Sequence, residues 1–236
     1  HAHLSYGVPC DDIIHTIEQR LCQIRDELGI SFDVGAEMEK LENSMSKDMS
    51  ADELVSRGEY LTSRLMADYL GFKFVDAADC VFFSFDGQID KNKTYEAIAD
   101  AYKQYGRIVL PGFYGRLPNG RIKVMTRGGS DISGALAAAA IDADMYENWT
   151  DVSGILMADP RIVKDPQPIE KITYAELREL AFMGASVLHE ESVLPVKEKG
   201  IALNIRNTNC PEHPGTVIVD KIEDEESHER FLTGIA

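Results

Sequence analysis

The stretch Ile122–Thr150, IKVMTRGGSDISGALAAAAIDADMYENWT, holds four short messages in a row. Ile122 to Thr126, rich in apolar and β-branched residues, reads as a strand. Arg127-Gly128-Gly129-Ser130-Asp131 follows, with two glycines that let the backbone turn tightly without a Cβ in the way. Ser130 or Asp131 then caps a helix from Ile132 to Ala143. The Ala137–Ala140 run gives that helix a small face, which predicts close, buried packing on a sheet. Met145 to Thr150 reads as the next strand, broken at Asp151.

Outward from this unit the alternation continues. Residues 11–28 predict a helix capped by Asp11 or Asp12, with Ile13, Ile17, Leu21, Ile24 and Leu28 as its apolar stripe. Residues 34–47 predict another, with Met38 and Leu41 inward. Ser50 and Glu53 have capping-box spacing and open a helix to Leu70, with Leu54, Leu61, Leu65 and Tyr69 on its face. Gly58 lies inside it, where glycine costs ~1 kcal/mol against alanine, and predicts close approach by another group. Residues 80–85 read as a buried strand. Residues 94–105 read as a helix with Tyr95, Ile98, Ala99, Tyr102 and Tyr105 on one side. Arg107–Leu110 reads as a strand entering the turn-rich Pro111-Gly112-Phe113-Tyr114-Gly115. Thr173 and Glu176 start a helix through Met183, and strands are expected at 201–205 and 217–219. Strand–helix alternation predicts an α/β fold, a three-layer αβα sandwich with a mainly parallel central sheet. Ligands in such sheets sit beyond the carboxyl ends of the strands, which singles out the loops 111–115, 127–131 and 151–161.

Composition narrows the partners. With 24 basic against 40 acidic residues the net charge is −16, which argues against non-specific binding to nucleic acid or an anionic membrane. No apolar run approaches the ~20 residues of a membrane span, and no secretory leader is visible, so a cytoplasmic protein is expected. Cys10, Cys22, Cys80 and Cys210 are far apart with no CxxC pair and read as free thiols. The histidines show no metal-ligand spacing, so no protein metal site is expected. The acidic Glu223-Asp224-Glu225-Glu226 reads as a linker. The expected organisation is one domain over 1–220, incomplete at its N-terminus. Residues 221–236 would then hold the linker and the start of a further domain.

Three constellations carry chemistry. The turn 127–131 places unpaired helix amides and the positive end of a helix dipole beside Arg127, whose planar fork suits a carboxylate or phosphate. Alternatively it is a plain strand-to-helix turn, but the buried Ala137–Ala140 helix behind it favours the anion site. Asp151 ends a strand on the ligand side and Arg161 follows in Ala158-Asp159-Pro160-Arg161; these are nucleotide contacts or else a turn and a surface salt bridge. Glu59, beside Gly58, could receive an ammonium group or be a solvated helix carboxylate.

In order and spacing, Gly58-Glu59-Tyr60-Leu61, Pro111–Gly115, Arg127–Asp131, Thr150-Asp151-Val152-Ser153-Gly154 and Ala158–Arg161 resemble the aspartokinases of the amino-acid kinase superfamily. Gly184–His189, Asn207-Thr208 and Gly215-Thr216 resemble the same family, so the likeness covers roughly 50–220. It implies transfer of the γ-phosphate of ATP to the side-chain carboxylate of L-aspartate. The product would be 4-phospho-L-aspartate, the first step toward lysine, threonine and methionine, with Mg²⁺ as cofactor and a homodimer as the assembly. It implies Glu59 on the aspartate ammonium, and Arg127 on a substrate carboxylate with catalytic weight. Gly128, Gly129, Ser130 and a catalytic Asp131 would line the same pocket. Thr150, Asp151, Gly154 and Arg161 would contact the nucleotide. The chain departs from the family pattern in holding no Lys-Phe-Gly-Gly-Ser loop. It also has Leu156 where many members have an aromatic residue, Ser186 for a lysine and Glu190 for a proline. Leu232–Ala236 resembles the opening of an ACT domain. The competing readings are a kinase of another amino acid on the same fold and a non-catalytic, ligand-binding regulatory member.

Overall fold

The computed structural model describes residues 1–159, 161–182, 188 and 190–222. They form two compact units, His1–Thr126 and Arg127–Ala236. The expected linker from Glu223, the Leu232–Ala236 segment, Met183, and Gly184–Val187 with His189 fall outside the described residues, and the side chain of Glu190 is among those not described.

The first unit opens with α1 (Ala2–Tyr6), α2 (Asp11–Leu28), α3 (Val34–Ser44) and α4 (Ala51–Leu70). Neither Asp11 nor Asp12 caps α2; Cys10 holds that position with no side-chain bond, and both acids sit in the first turn, where they complement the helix dipole. The α2 core face is Leu21, Ile24 and Leu28 with Ile14 and Cys22, while Ile13 and Ile17 stay exposed. A 3.6-residue period seated on Leu21 and Leu28 returns to Ile14, not Ile13. On α3, Val34, Met38 and Leu41 are buried, and the Asp33 side chain accepts from the Ala36 amide at 3.0 Å. Ser50 caps α4 by accepting from the Glu53 amide at 3.1 Å. Leu61 and Leu65 face inward, but Tyr69 is exposed.

One buried ion cluster locks α3 to α4. Glu37, 5% exposed, accepts from Lys40 Nζ at 2.8 Å and from Arg64 Nη2 at 2.7 Å. Burial pushes the Glu37 carboxyl up, but the two cationic donors together outweigh it and hold the group below its ordinary value.

Further along the first unit come β1 (Lys73–Phe74), α5 (Ala77–Cys80), α6 (Lys91–Tyr105), β2 (Ile108–Val109), β3 (Tyr114–Arg116) and β4 (Ile122–Val124). β1 and β2 pair in parallel and β3 and β4 antiparallel. The strand expected at 80–85 does not form. Asp76 accepts from the Ala78 amide at 2.9 Å and starts α5, which takes up Cys80. Phe82 and Phe83 keep single bridges to Arg116 and Ile89, and the Phe82 amide donates to Thr94 Oγ1. On α6, Ile98 is buried, while Tyr102 and Tyr105 stay half-exposed.

The second unit contains α7 (Gly129–Ala140), β5 (Met145–Thr150), β6 (Ile155–Leu156), β7 (Pro168–Ile169), β8 (Lys171–Thr173), α8 (Tyr174–Phe182), α9 (Glu190–Glu198), β9 (Ala202–Asn207) and β10 (Thr216–Val219). Its main sheet has the order β5-β9-β10-β8. β5/β9 and β8/β10 are parallel, β9/β10 is antiparallel, and β6 and β7 form a separate antiparallel pair. The chain is α/β, with parallel strands flanked by helices as the alternation implies. Ala135 and Ala138 of α7 join Ile172, Val196, Leu203, Ile205 and Ile218 in one buried core. Small side chains therefore do seat this helix closely. The Thr173–Glu176 capping box is complete: Thr173 N and Oγ1 donate to Glu176 Oε2 at 2.9 and 2.7 Å, and the Glu176 amide returns to Thr173 Oγ1 at 3.2 Å.

Two outcomes check this account. Gly215 has φ 77 and its missing Cβ would collide with the Ile205 carbonyl, whereas Gly200 has φ 67 in open space. In urea unfolding, Gly200→Ala is expected to cost about 1–2 kcal/mol of left-handed strain, and Gly215→Ala distinctly more. Glu37 has a depressed folded-state pKa, so its contribution is present above the unfolded value of about 4.3 and is lost as pH falls through the lower folded value. Glu37→Gln should flatten the acid limb of the stability curve below the unfolded value of about 4.3.

Candidate active site

In the second unit α7 begins at Gly129, not at Ile132. Its N-cap is Gly128, left-handed at φ 58, and no side chain caps it. Ser130 and Asp131, expected as caps, therefore lie inside the first turn. The left-handed turn at Gly128 bends the chain into the helix at no Cβ cost. It leaves the leading amides without a side-chain acceptor, which is the arrangement that binds anions. Gly129 is buried, while Arg127 and Ser130 are exposed.

Asp131 is held from below by β5. Its Oδ1 accepts from Asn148 Nδ2 at 2.8 Å, and its backbone carbonyl accepts from Tyr146 Oη at 3.3 Å. Asn148 Nδ2 also donates to Tyr146 Oη at 3.1 Å. Burial, with a smaller contribution from Asp131, pushes the Tyr146 phenol up to about 12 against the Asn148 bond that lowers it. The hydroxyl is thus a donor across the physiological range. A Cβ at Gly134 would run into the Tyr146 ring, so this glycine is what lets α7 lie against β5. These contacts put the first turns of α7 beside the carboxyl-terminal half of β5.

The loop after β5 is stitched to the loop after β9. Thr150 O accepts from Thr208 N and Oγ1 at 2.8 and 3.0 Å. Asn207 Nδ2 donates to Ser153 Oγ at 2.8 Å. Thr216 Oγ1 accepts from the Ile155 amide at 2.8 Å and donates to the Ile169 carbonyl. Gly154, at φ 104, has no room for a Cβ beside Thr216. Asp151 is exposed at the strand end, accepting from Thr150 Oγ1 at 3.2 Å. The structure therefore brings together 127–131, Thr150, Asp151 and Gly154 on one edge of the unit. Leu156, in β6, is partly exposed.

Arg161 is engaged elsewhere. It forks onto Asp159, Nε to Oδ1 at 3.0 Å and Nη2 to Oδ2 at 2.6 Å. The Arg161 bonds hold the Asp159 carboxyl below its usual range. This is the surface salt bridge that the sequence leaves open as the alternative to a phosphate contact.

Glu59 belongs to the first unit and is half-buried on α4. The close approach expected at Gly58 is not seen: among the described residues, and apart from its own helix backbone, nothing lies within 4 Å of where its Cβ would be. Arg57 sits over the rings of Tyr60 and Tyr114 at 4.9 and 5.6 Å, and Asp52 accepts from the Val124 amide at 3.1 Å. In the loop before β3, Phe113 takes φ 57 and its carbonyl accepts from the Met125 amide at 2.7 Å. Among the described residues no group of three or more His, Cys, Asp or Glu is placed to hold a metal ion, and no helix is long and apolar enough to cross a membrane.

Tyr146 and Asn148 were not singled out from the sequence. The available signal was an asparagine, a residue depleted in strands, two positions from a tyrosine on the same strand face.

The amino acid kinase family matches residues 13–207. Aspartokinase 3 of Bacillus subtilis (strain 168) is 34% identical over 178 residues, which cover 72% of this chain and 39% of that protein. The crystal structure of the Clostridium acetobutylicum aspartate kinase superposes with a TM-score of 0.86 at 47% identity, covering 93% of this chain and 50% of that one. E. coli aspartokinase III in complex with aspartate and ADP superposes at 0.71 with 26% identity, covering 87% and 52%. The chain spans about half the length of these relatives or less. Gly134→Ala is expected to force Tyr146 off Asp131 and to lower stability by about 1–3 kcal/mol through overpacking, measured by urea unfolding.

Proposed function

The chain belongs to the amino acid kinase family, and from that premise we propose that the protein it comes from is an aspartate kinase. It would transfer the γ-phosphate of ATP to the side-chain carboxylate of L-aspartate. The product, 4-phospho-L-aspartate, opens the route to lysine, threonine and methionine. The observation that carries the reading is the start of α7: a helix N-terminus without a side-chain cap, next in the chain to Arg127, with Asp131 ordered in its first turn. The likeness to an enzyme solved with aspartate and ADP supports the choice of substrates.

The chemistry suits these parts. A carboxylate nucleophile with a pKa near ~3.9 is already ionised at neutral pH, so no general base has to activate it. The barrier is like-charge repulsion between that carboxylate and the γ-phosphate, together with alignment. Helix-terminus amides and Arg127 supply positive potential where negative charge gathers. Gly128 and Gly129 let the backbone come close, Ser130 offers a hydroxyl, and Asp131 orients the groups around the reacting atoms. Glu59 receives the aspartate ammonium. Thr150, Asp151 and Gly154 form the nucleotide side, and Arg161 joins it by exchanging Asp159 for a phosphate. Mg²⁺ would be a companion of the nucleotide, and the exposed Asp151 is the residue proposed to help hold it. It would neutralise phosphate charge. A homodimer is the proposed assembly.

The test is ATP-dependent acyl phosphate formation by the full-length protein, trapped as the hydroxamate, with aspartate and glutamate in parallel. Product with aspartate alone is expected; product with glutamate alone, or with neither, would overturn the reading. Arg127→Ala should abolish aspartate binding in calorimetry with the melting temperature nearly unchanged. Asp151→Ala should weaken ATP more than aspartate.

A further inference from the structure

Asp131 is gripped at two points by one face of β5. Asn148 is 8% exposed, and its amide nitrogen has two protons to give. One goes to Asp131 Oδ1 at 2.8 Å and the other to Tyr146 Oη at 3.1 Å. Tyr146 Oη gives its own proton to the Asp131 carbonyl at 3.3 Å. The directions are fixed by chemistry. A carboxylate and a carbonyl only accept, so the Asn148 nitrogen must face Asp131 and the phenol must stay protonated, as its burial ensures. The ring closes with every donor used. Asp131 keeps its second carboxylate oxygen, Oδ2, outside the ring.

We propose that Asn148 and Tyr146 are positioning residues for phosphoryl transfer, holding the Asp131 carboxylate in one rotamer so that Oδ2 is aimed at the reacting groups. The inference rests on the aspartate kinase reading and deepens it. An aspartate in the first turn of a helix would otherwise sample several rotamers, some of them folding back onto the leading amides that an anion needs. Bonding Oδ1 and the carbonyl from the strand keeps this carboxylate off those amides. The anion site and the acid can then coexist within one helical turn. Gly134 has its place in the same device, since any Cβ there displaces Tyr146. Neither positioning residue touches substrate; both act through Asp131. Because Thr150 and Asp151 are fastened separately, through Thr208 and their own mutual bond, loss of the ring should leave nucleotide binding intact.

The experiment uses the full-length protein and steady-state kinetics of Tyr146→Phe and Asn148→Leu, each also made in an Asp131→Ala background. Tyr146→Phe keeps the ring shape and deletes one bond; it carries the test if Asn148→Leu fails to fold. Misplacement by about an ångström can cost up to about a hundredfold. A kcat about threefold to tenfold lower is expected for Tyr146→Phe and about tenfold to a hundredfold lower for Asn148→Leu, with KM for ATP within about twofold of wild type. In the Asp131→Ala background, measured by single turnover, neither substitution should lower the rate further, because the group they position is gone. Equal losses with and without Asp131, a KM for ATP rising in step with the fall in kcat, or wild-type kcat in both single variants would overturn the proposal. A wild-type protein that phosphorylates no aspartate would remove the functional reading itself; an active wild type with any of those three outcomes would remove only this inference.

Discussion

The close seat of α7 on β5 is the constraint from which the rest of the second unit follows. It depends on a residue with no side chain: Gly134 faces the Tyr146 ring where a methyl group would not fit. With that gap closed, Ala135 and Ala138 enter the core with Leu203 and Ile205, and Asp131 comes within hydrogen-bonding reach of Asn148. A larger residue at any of these points would lift the helix. Lifting it would undo the core and the site together, because the same helix serves both. Packing density in such a core is high enough that small displacements are felt.

The edge formed by 127–131, the end of β5 and the β9–β10 loop is polar without carrying many charges of its own. The groups there that can meet an anion are the leading α7 amides, which no side chain caps, and the exposed Arg127. Its rigidity comes from bonds made by uncharged groups: Asn148, Tyr146, Thr208, Asn207 and Thr216. That division would suit the proposed transfer between two anions. Fixed dipoles do not have to reorganise as charge shifts, and a net charge of −16 is no obstacle when the local field is set by the helix start.

Much of this was legible in the sequence because it rests on local rules. The N-cap at Ser50 and the capping box at Thr173, the α2 span, the 145–150 strand and the small-faced helix each follow from a few neighbouring residues. The glycine pair at 128–129 also pointed to a helix start, though the helix begins three residues earlier than capping chemistry suggested, since a left-handed Gly128 took over the cap. The misses have a common cause, which is competition settled by tertiary contacts. Cys80–Phe85 has strand composition, but Asp76 begins a helical turn and Thr94 takes the Phe82 amide. Ile13 and Ile17 look like core, but the α2 face is set by what Leu21 and Leu28 can reach. Gly58 suggested a packed neighbour and has open space instead. Asn148 and Tyr146 could not be paired with Asp131 without knowing that α7 and β5 lie side by side. Arg161 illustrates the remaining gap: composition permits a phosphate ligand, and in the structure Asp159 holds it.

Where an aspartate binds is the most direct test of the proposed site. Crystals of the full-length protein grown with aspartate and ADP would show it. A ligand carboxylate is expected within about 2.7–3.2 Å of the leading α7 amides and of Arg127, with Asp131 still bonded to Asn148. Aspartate ordered at another site, with those amides facing only solvent, would contradict it.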